Sequence, residues 1–360
     1  MKILIPTSFN KNPYIFQLVR ALQINREVST VHTLVPWFFQ DEHIFDIVHL
    51  QWPESIIPKK NFNPANISFF KERLQFWKSQ GSRIVITVHN EIPHRDRSRV
   101  SHDLYSTVYQ YCDGIVHMGE SSRRVLNKSF KLDLNKTREI IIRHGNYDCF
   151  PNFVSREEAR IALNIPEDQL VVTSIDSIRS KGEYELLKSV SRTLKKRDGL
   201  LLQIGNINPG LNTIRKHIRR KLLILRNNIR HCGLYVEDHK MQYYLNACDI
   251  LLVPRINNLN SGNVALGFTF GKVVLGQDSG VIGEELQQQK NPVFHDNSQK
   301  SVEKAMEQAI GLLKTDIGEN NRRYALQELN WTVLTKQYMD FYKELSSEPQ
   351  STHPNILLEE

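Results

Sequence analysis

The sequence predicts an α/β protein made of two doubly wound, parallel-sheet domains. Short β-branched runs alternate with amphipathic segments of helical period along the whole chain, which is typical of parallel strands covered by helices. With 360 residues, of which 40% are hydrophobic and 24% charged, the chain is long enough to bury two cores. Segment 148–154, which contains Pro151 and Asn152, interrupts the periodicity. The domain junction is therefore predicted there, between residues 150 and 151.

The first domain is predicted to span residues 1–150. Its strands are expected at 2–6, 45–53, 83–90, 113–119 and 139–147, and its helices at 14–22, 67–79, 103–111 and 121–126. The loop between the first strand and the first helix, 7–13, contains no glycine. The GxGxxG fingerprint of dinucleotide binding is absent there, which removes the main support for a dinucleotide-dependent oxidoreductase.

The second domain, 151–328, repeats this alternation. Ser155 and Glu158 form a capping-box pattern at the start of a helix at 156–163. Further strands are expected at 170–175, 200–206, 250–253 and 273–275, with one more before the loop at 235–238, and further helices at 184–196, 211–225, 264–270 and 302–314. A last amphipathic helix is expected at 331–345, and the tail 346–360 is expected to be mobile.

Composition predicts a cytoplasmic globular protein. No apolar run approaches the length of a membrane span, and the N-terminal residues turn polar too soon for a signal peptide. The four cysteines are far apart and lack metal-ligand spacing, so they are expected to be reduced thiols without disulfides or zinc; they are Cys112, Cys149, Cys232 and Cys248.

The net charge of +8 indicates an anionic partner: nucleic acid, an acidic membrane surface or a phosphorylated small molecule. The basic runs at 195–197 and 216–221 have helical spacing and no interleaved aromatic residues. They are typical of solvated helix faces, so nucleic-acid binding is disfavoured.

Segment 250–276 organises the second domain. It consists of a strand, a polar loop, a helix and a second strand, and the loop leads directly into the helix start. Unpaired N–H groups at a helix start favour anions, so Ser261, Gly262 and Asn263 are candidates for holding a phosphate. The alternative is that Ser261 is only an N-cap and Gly262 only a turn residue.

Two further groups of polar residues follow predicted strands. Arg179 and Lys181 follow the strand at 170–175, where they could clamp a diphosphate or could be ordinary surface charges. A dense titratable group follows the strand at 83–90, where open parallel sheets place their ligands, and the alternative is a solvated loop with one capping histidine. The residues of this group are His89, Asn90, Glu91, His94, Arg95 and Asp96.

The chain resembles the retaining GT-B glycosyltransferases of glycosyltransferase family 4, in a bacterial branch that builds surface polysaccharides. The short motifs that carry the resemblance cover nearly the whole chain and occur in the family's order. They are NPYIFQLVRAL (12–22), DIVHLQWPE (46–54), TVHNEIPH (87–94), HGNY with PNFVSREEAR (144–160), IRSKG (178–182), NSGNVALGFTFGK (260–272) and NWTVLTKQYMDFY (330–342).

The resemblance implies two Rossmann-like domains facing a cleft, with acceptor in the first domain and nucleotide-sugar donor in the second. It also implies that the terminal helix, within 329–345, crosses back to the first domain. His89 is implied as the catalytic residue near the transferred sugar. The implied donor-binding residues are Arg179, Lys181, Asn206, Tyr235, Val236, Asn260, Ser261, Gly262, Asn263 and Val264, and the implied acceptor-binding residues are Asn12, Trp52, Asn90, Glu91 and His94.

The sequence departs from the family pattern at two places. Many members carry a Glu-x7-Glu pair in the organising segment, and the aligned residues here are Asn258 and Leu266. Ribose recognition must then come from other residues. The glycine that usually precedes the Arg/Lys loop is also replaced, by Ile175 or Asp176.

These observations predict a hexosyltransferase that uses a nucleotide-sugar donor, retains the anomeric configuration and needs no metal or other cofactor. No Asp-x-Asp motif occurs, so Arg179, Lys181 and the helix dipole are expected to stabilise the leaving group. The acceptor is expected to be a glycan or a lipid-linked saccharide, reached from an anionic inner membrane face. An epimerase on the same scaffold and a catalytically silent nucleotide-sugar-binding partner are the alternatives.

Overall fold

The computed structural model describes residues 1–8, 12–57, 63–91, 98–130, 137–207, 224 and 228–349. Its contacts divide the chain into two units. The first contains Met1–Gly145 together with Asn330–Glu360, and the second contains Asn146–Leu329. Each unit is built on a six-stranded sheet in which every paired strand is parallel. The predicted α/β class with two doubly wound parallel sheets is confirmed.

The first unit has the strand order β2-β1-β3-β4-β5-β6. Its strands are β1 (Lys2–Leu4), β2 (Thr30–His32), β3 (Ile47–Leu50), β4 (Arg83–Thr87), β5 (Gly114–His117) and β6 (Arg138–Ile141). Its helices are α1 (Pro13–Gln23), α2 (Pro36–Phe39), α3 (Pro64–Ser79), α4 (Arg99–Tyr111) and α5 (Glu120–Phe130), with a short 3₁₀ turn at Pro53–Ser55. β3, β4 and β5 are buried along their whole length, as expected for strands covered on both faces.

The second unit has the strand order β12-β11-β10-β7-β8-β9. Its strands are β7 (Val171–Ile175), β8 (Leu200–Ile204), β9 (Ile229–His231), β10 (Ile250–Leu252), β11 (Val273–Gln277) and β12 (Val293–Phe294). Its helices are α6 (Arg156–Ala162), α7 (Lys181–Lys195), α8 (Asp238–Ala247), α9 (Asn263–Thr269), α10 (Gly280–Gln288), α11 (Gln299–Leu312) and α12 (Ile317–Gln327). The last helix, α13 (Trp331–Ser347), belongs to the first unit.

The boundary between the units follows Gly145 and not residue 150. Asn146 donates its backbone N–H to the Leu329 carbonyl at 2.8 Å and its side-chain amide to the Ala325 carbonyl at 3.0 Å. Phe150 packs in an apolar cluster of the second unit. The segment that breaks the strand and helix periodicity is thus bonded into the second sheet's domain, which the local sequence pattern does not reveal.

The start of the predicted mobile tail is helical. α13 continues to Ser347, and Glu348 accepts a hydrogen bond from Arg138 Nε at 2.8 Å. Residues 346 and 347, within the predicted mobile tail, therefore form the end of α13. Residues 350–360 lie outside the described residues.

Several elements were not predicted because their sequences carry little periodicity. β2 and β12 are short edge strands, and α2 is a single turn. α12 was also not predicted, while the capping box at Ser155 and Glu158 is present as expected. The predicted helix at 211–225 and the basic run at 216–221 fall almost entirely outside the described residues. None of the helices in the described part of the chain is both long and apolar enough to span a membrane.

Candidate functional site

In the second unit, the predicted donor residues follow the carboxyl ends of neighbouring strands. Arg179 and Lys181 follow β7, Asn206 follows β8, and the loop at 260–263 follows β10. Because β10, β7 and β8 are adjacent in the sheet, their carboxyl ends share one edge, where open α/β sheets bind ligands. The N–H of Ile178 donates to the Asn206 carbonyl at 2.7 Å, which ties the first two loops together.

The loop after β10 is tied to the same edge. The Asn263 side-chain amide donates to the Ile175 carbonyl at the end of β7, at 2.6 Å. Gly262, and not Ser261, occupies the N-cap position of α9; the Ser261 hydroxyl accepts from the Asn263 N–H at 3.4 Å. The alternative in which Ser261 is only the N-cap is therefore wrong by one residue, and the Ser261 hydroxyl faces the helix start.

Two of the predicted donor residues have buried side chains. Val236 and Val264 are buried and pack in the same apolar cluster, so their side chains contribute to the core. Tyr235, in contrast, is 74% exposed in the loop after β9, and Asn260 is half-buried.

A buried ion cluster that the sequence did not predict supports the Arg/Lys loop. The Arg255 guanidinium, only 3% exposed, lies between two carboxylates: Nη1 is 2.9 Å from Glu183 Oε1, and Nη2 contacts Asp176 Oδ2. Glu183 also accepts the backbone N–H groups of Arg179 and Ser180. The Ser180-x-x-Glu183 spacing is a capping box at the start of α7, and this spacing was the available sequence signal.

Asp176, one of the two residues predicted to stand where the Arg/Lys loop is usually preceded by glycine, has a glycine-like backbone. Its φ is +123°, a conformation that is unfavourable for residues with a Cβ. Its carbonyl accepts from Gln203 Nε2 at 2.9 Å, and its carboxylate contacts Arg179 Nη2 at 3.1 Å. The surrounding bonds therefore hold both the unusual backbone conformation and the Arg179 side chain.

Burial shifts the pKa values of two side chains in this cluster. Burial raises the pKa of Glu183 and lowers the pKa of Arg255 to about 10. Both shifts oppose ionisation, because charge is poorly solvated in a buried site. Arg179 is more exposed, with a 40% exposed side chain, and can reach a ligand.

In the first unit, His89 lies after β4 and is 8% exposed. Its ring stacks on Trp52, with centroids 3.9 Å apart and planes at 18°, and meets Tyr14 edge-on at 5.1 Å. His89 Nε2 is 2.8 Å from Gln51 Oε1. Burial lowers the pKa of His89 well below its usual value, with smaller effects from His144 and His49. The ring is therefore neutral.

The remaining predicted acceptor residues have mixed surroundings. Asn12 caps α1, accepting from the Tyr14 N–H at 2.9 Å, so its side chain has a structural role. Asn90 is buried, and Glu91 accepts from the Ser129 hydroxyl. His94, together with Arg95 and Asp96, lies outside the described residues.

A half-buried carboxyl in the same unit was not among the predicted site residues. Glu54, in the motif after β3, accepts from the Tyr105 hydroxyl at 2.7 Å, and burial raises its pKa. Its sequence signal was an acidic residue directly after an apolar strand.

The two positions predicted to align with the Glu-x7-Glu pair have no carboxylate in this chain, and the structure shows the surroundings of the residues that replace it. Leu266 is 4% exposed and belongs to the apolar cluster, while the Asn258 carbonyl accepts from the Ser279 hydroxyl at 3.4 Å. Within the described ranges, no three His, Cys, Asp or Glu side chains are placed to share a metal ion. The four cysteines are free thiols.

No family model matches the chain. Among curated proteins, the chain is 24% identical over 288 residues to GDP-mannose:glycolipid 4-beta-D-mannosyltransferase of Xanthomonas campestris pv. campestris, covering 77% of this chain and 74% of that protein. A second protein of the same name is 24% identical over 274 residues, covering 74% of this chain and 70% of that protein.

Solved structures of the same fold cover nearly the whole chain. Sucrose-phosphate synthase from Thermosynechococcus elongatus superimposes with a TM-score of 0.72 at 14% identity, covering 96% of this chain and 98% of that one. HepE of Anabaena in complex with UDP-glucose gives 0.71 at 13% identity, covering 96% and 100%. The fold is that of GT-B glycosyltransferases, with two Rossmann-like units. Fold and curated relatives together support a glycosyltransferase that takes sugar from a nucleotide donor.

Proposed function

We propose that the chain transfers a hexose from a nucleoside-diphosphate sugar to a glycan or lipid-linked saccharide in surface polysaccharide synthesis, as a member of glycosyltransferase family 4. The observation that carries the proposal is the meeting of Arg179, Lys181 and Asn206 with the loop before α9 at one sheet edge. Cations and backbone N–H groups at this edge suit a diphosphate. The named relatives act on GDP-mannose and a glycolipid, which supports this donor and acceptor chemistry.

In this proposal the diphosphate leaving group is stabilised by Arg179 and Lys181 without a divalent ion or other cofactor, and the anomeric configuration is retained. The positive net charge favours a lipid-linked acceptor at an anionic membrane surface on the cytoplasmic side. His89 hydrogen-bonds a hydroxyl of the sugar, a role that a neutral imidazole can fill as donor or acceptor.

The activity is tested with UDP-, GDP- and dTDP-hexoses. We expect one nucleotide family to raise the melting temperature, since a ligand of the native state at about 100 Kd adds roughly 2.7 kcal/mol of stability. With a saccharide acceptor, that donor should give a glycoside even in EDTA.

Each other outcome of this experiment contradicts a stated part of the proposal. Activity that needs added Mn²⁺ contradicts metal independence, and a β-linked product from an α-linked donor contradicts retention. An altered donor sugar without any acceptor indicates an epimerase. Donor binding with neither transfer nor slow hydrolysis indicates a silent binding partner.

Replacing His89 by Ala should lower kcat/KM by a factor equivalent to about 1 to 3 kcal/mol of transition-state stabilisation. The affinity for nucleoside diphosphate should be unchanged, because the free nucleotide has no sugar. The variant also leaves Gln51 Oε1 without its donor, so stability should fall by about 1 kcal/mol, and the kinetics are measured well below its melting temperature.

His102→Ala is the matched control, since His102 stacks on Phe130 at 5.0 Å in the same unit. Normal turnover by a destabilised His89→Ala variant would make His89 purely structural.

A further inference from the structure

A buried chain of hydrogen bonds ends at His89. The Tyr342 hydroxyl lies 2.6 Å from His49 Nδ1, His49 Nε2 lies 3.1 Å from Gln51 Nε2, and Gln51 Oε1 lies 2.8 Å from His89 Nε2. Tyr342, His49 and Gln51 are each at most 1% exposed. These hydrogen bonds connect α13, β3 and the residues after β4 within the first unit, and the Gln51 amide lies in the middle of the series.

The Gln51 amide determines which atom donates and which accepts in each of these hydrogen bonds. An amide NH₂ can only donate and an amide oxygen can only accept. Gln51 Nε2 therefore donates to His49 Nε2, which also lies 2.8 Å from the Thr87 hydroxyl, a group that can donate to the same nitrogen. This places the His49 proton on Nδ1, where it is donated to the Tyr342 oxygen. Gln51 Oε1 accepts from His89, which places the His89 proton on Nε2. In a neutral ring the other nitrogen, Nδ1, is then the acceptor.

Burial and stacking hold this arrangement. Burial lowers the pKa of His49 to about 3 and the pKa of His89 well below its usual value, so both rings are neutral. Trp52 covers one face of the His89 ring, and Tyr14 meets it at 88°. Turning the ring would break the bond to Gln51 and disturb the stack on Trp52.

We propose that Gln51 is a positioning residue that fixes His89 as the Nε2-protonated tautomer, with its ring in the orientation needed for sugar recognition. This proposal rests on the role given to His89 in the proposed function. An amide suits this positioning role better than a carboxylate, because an amide binds a neutral ring without favouring its protonation. A carboxylate at the same place would stabilise the imidazolium.

The first test is the side-chain ¹⁵N spectrum of the full-length wild-type protein, with the His89 signal identified by comparison with His89→Ala. We expect the neutral Nε2–H tautomer at pH 7. A proton on Nδ1 would overturn the proposal. This result does not depend on activity, so it remains decisive if no nucleotide sugar is bound or transferred, an outcome that would contradict only the proposed function.

The second test compares Gln51→Leu and Gln51→Glu with Gln75→Leu, a matched control whose amide donates to the Tyr111 hydroxyl at 3.0 Å. Gln51→Leu should give a mixture of His89 tautomers and a kcat about tenfold lower, the rate equivalent of one hydrogen bond, with nucleoside-diphosphate affinity unchanged. Gln75→Leu should change neither the tautomer nor kcat.

Gln51→Glu should raise the pKa of His89, so the acid limb of the pH profile should move to higher pH, since only the neutral ring is active. Among the described residues, the titratable groups facing His89 are His49 on β3, His144 after β6 and Tyr14 on α1. Gln51→Glu adds a carboxylate to this set. A folded Gln51→Leu variant with an unchanged tautomer, or a Gln51→Glu variant with an unchanged pH profile, would overturn the proposal.

Discussion

Replacement of Arg255 by Met should lower the free energy of unfolding by about 3 to 5 kcal/mol, the usual cost of leaving a buried charge without its partner. Arg255 is 3% exposed and pairs with both Asp176 and Glu183, and the Glu183 side chain is only 6% exposed. Methionine fills much of the volume but leaves two facing carboxylates. Urea titration followed by circular dichroism measures the change.

The matched control is Arg197→Met, because Arg197 and its partner Glu307 are 43% and 46% exposed. Exposed pairs contribute at most about 1 kcal/mol, so this variant should unfold nearly as the wild type does. Glu183→Gln in the Arg255→Met background should recover part of the loss, since one buried charge is removed. A loss below about 1 kcal/mol in Arg255→Met would show that the cluster is solvated.

The pH dependence of this variant has a definite sign. Burial already raises the pKa of Glu183 in the native protein, and loss of Arg255 raises it further. A carboxyl whose folded pKa is raised binds more protons in the native state, so stability falls as the pH rises through that range. The destabilisation of Arg255→Met should thus be smaller at pH 5 than at pH 8.

Local sequence patterns predicted most of the regular elements because apolar periodicity records burial. The strands β4, β7 and β11 consist mostly of β-branched or apolar residues and are buried throughout. Edge strands such as β2 and the single turn of α2 are too short or too exposed to show an apolar periodicity. The boundary after Gly145 depends on hydrogen bonds from Asn146 to residues near 325–329, which no local pattern contains.

The positions of the candidate site residues were easier to predict than the side chains that hold them. Arg179, Lys181 and His89 stand out because polar residues follow apolar strands. Their supports are distant in sequence: Arg255 and Glu183 are 72 residues apart, and His49 and Tyr342 are 293 apart. Asp176 shows the same limit, since the sequence predicted an unusual residue at Ile175 or Asp176 but not that Asp176 has a φ of +123°.

If Lys181 stabilises the departing diphosphate, Lys181→Ala should lower kcat/KM by a factor equivalent to about 2 to 4 kcal/mol of transition-state stabilisation. This is the cost typical of removing one such stabilising group. Lys181 is the first residue of α7 and is exposed, so its removal leaves no cavity. A cation at a helix N-terminus opposes the helix dipole, so the variant should be at least as stable as the wild type. Activity and stability should therefore change in opposite directions.

Lys188→Ala is the matched control for Lys181→Ala, because it removes the same charge from the same helix, where Lys188 pairs with Glu185 at 2.8 Å. If position matters, only Lys181→Ala should lose nucleoside-diphosphate affinity and turnover. If net charge matters, both variants should lose them equally, and the difference from wild type should vanish at high salt, since screening weakens exposed charges. Because Asp176 already pairs with Arg179, the diphosphate must compete for that guanidinium, which leaves Lys181 as the larger contributor. Unchanged kcat/KM in Lys181→Ala would place the leaving group elsewhere.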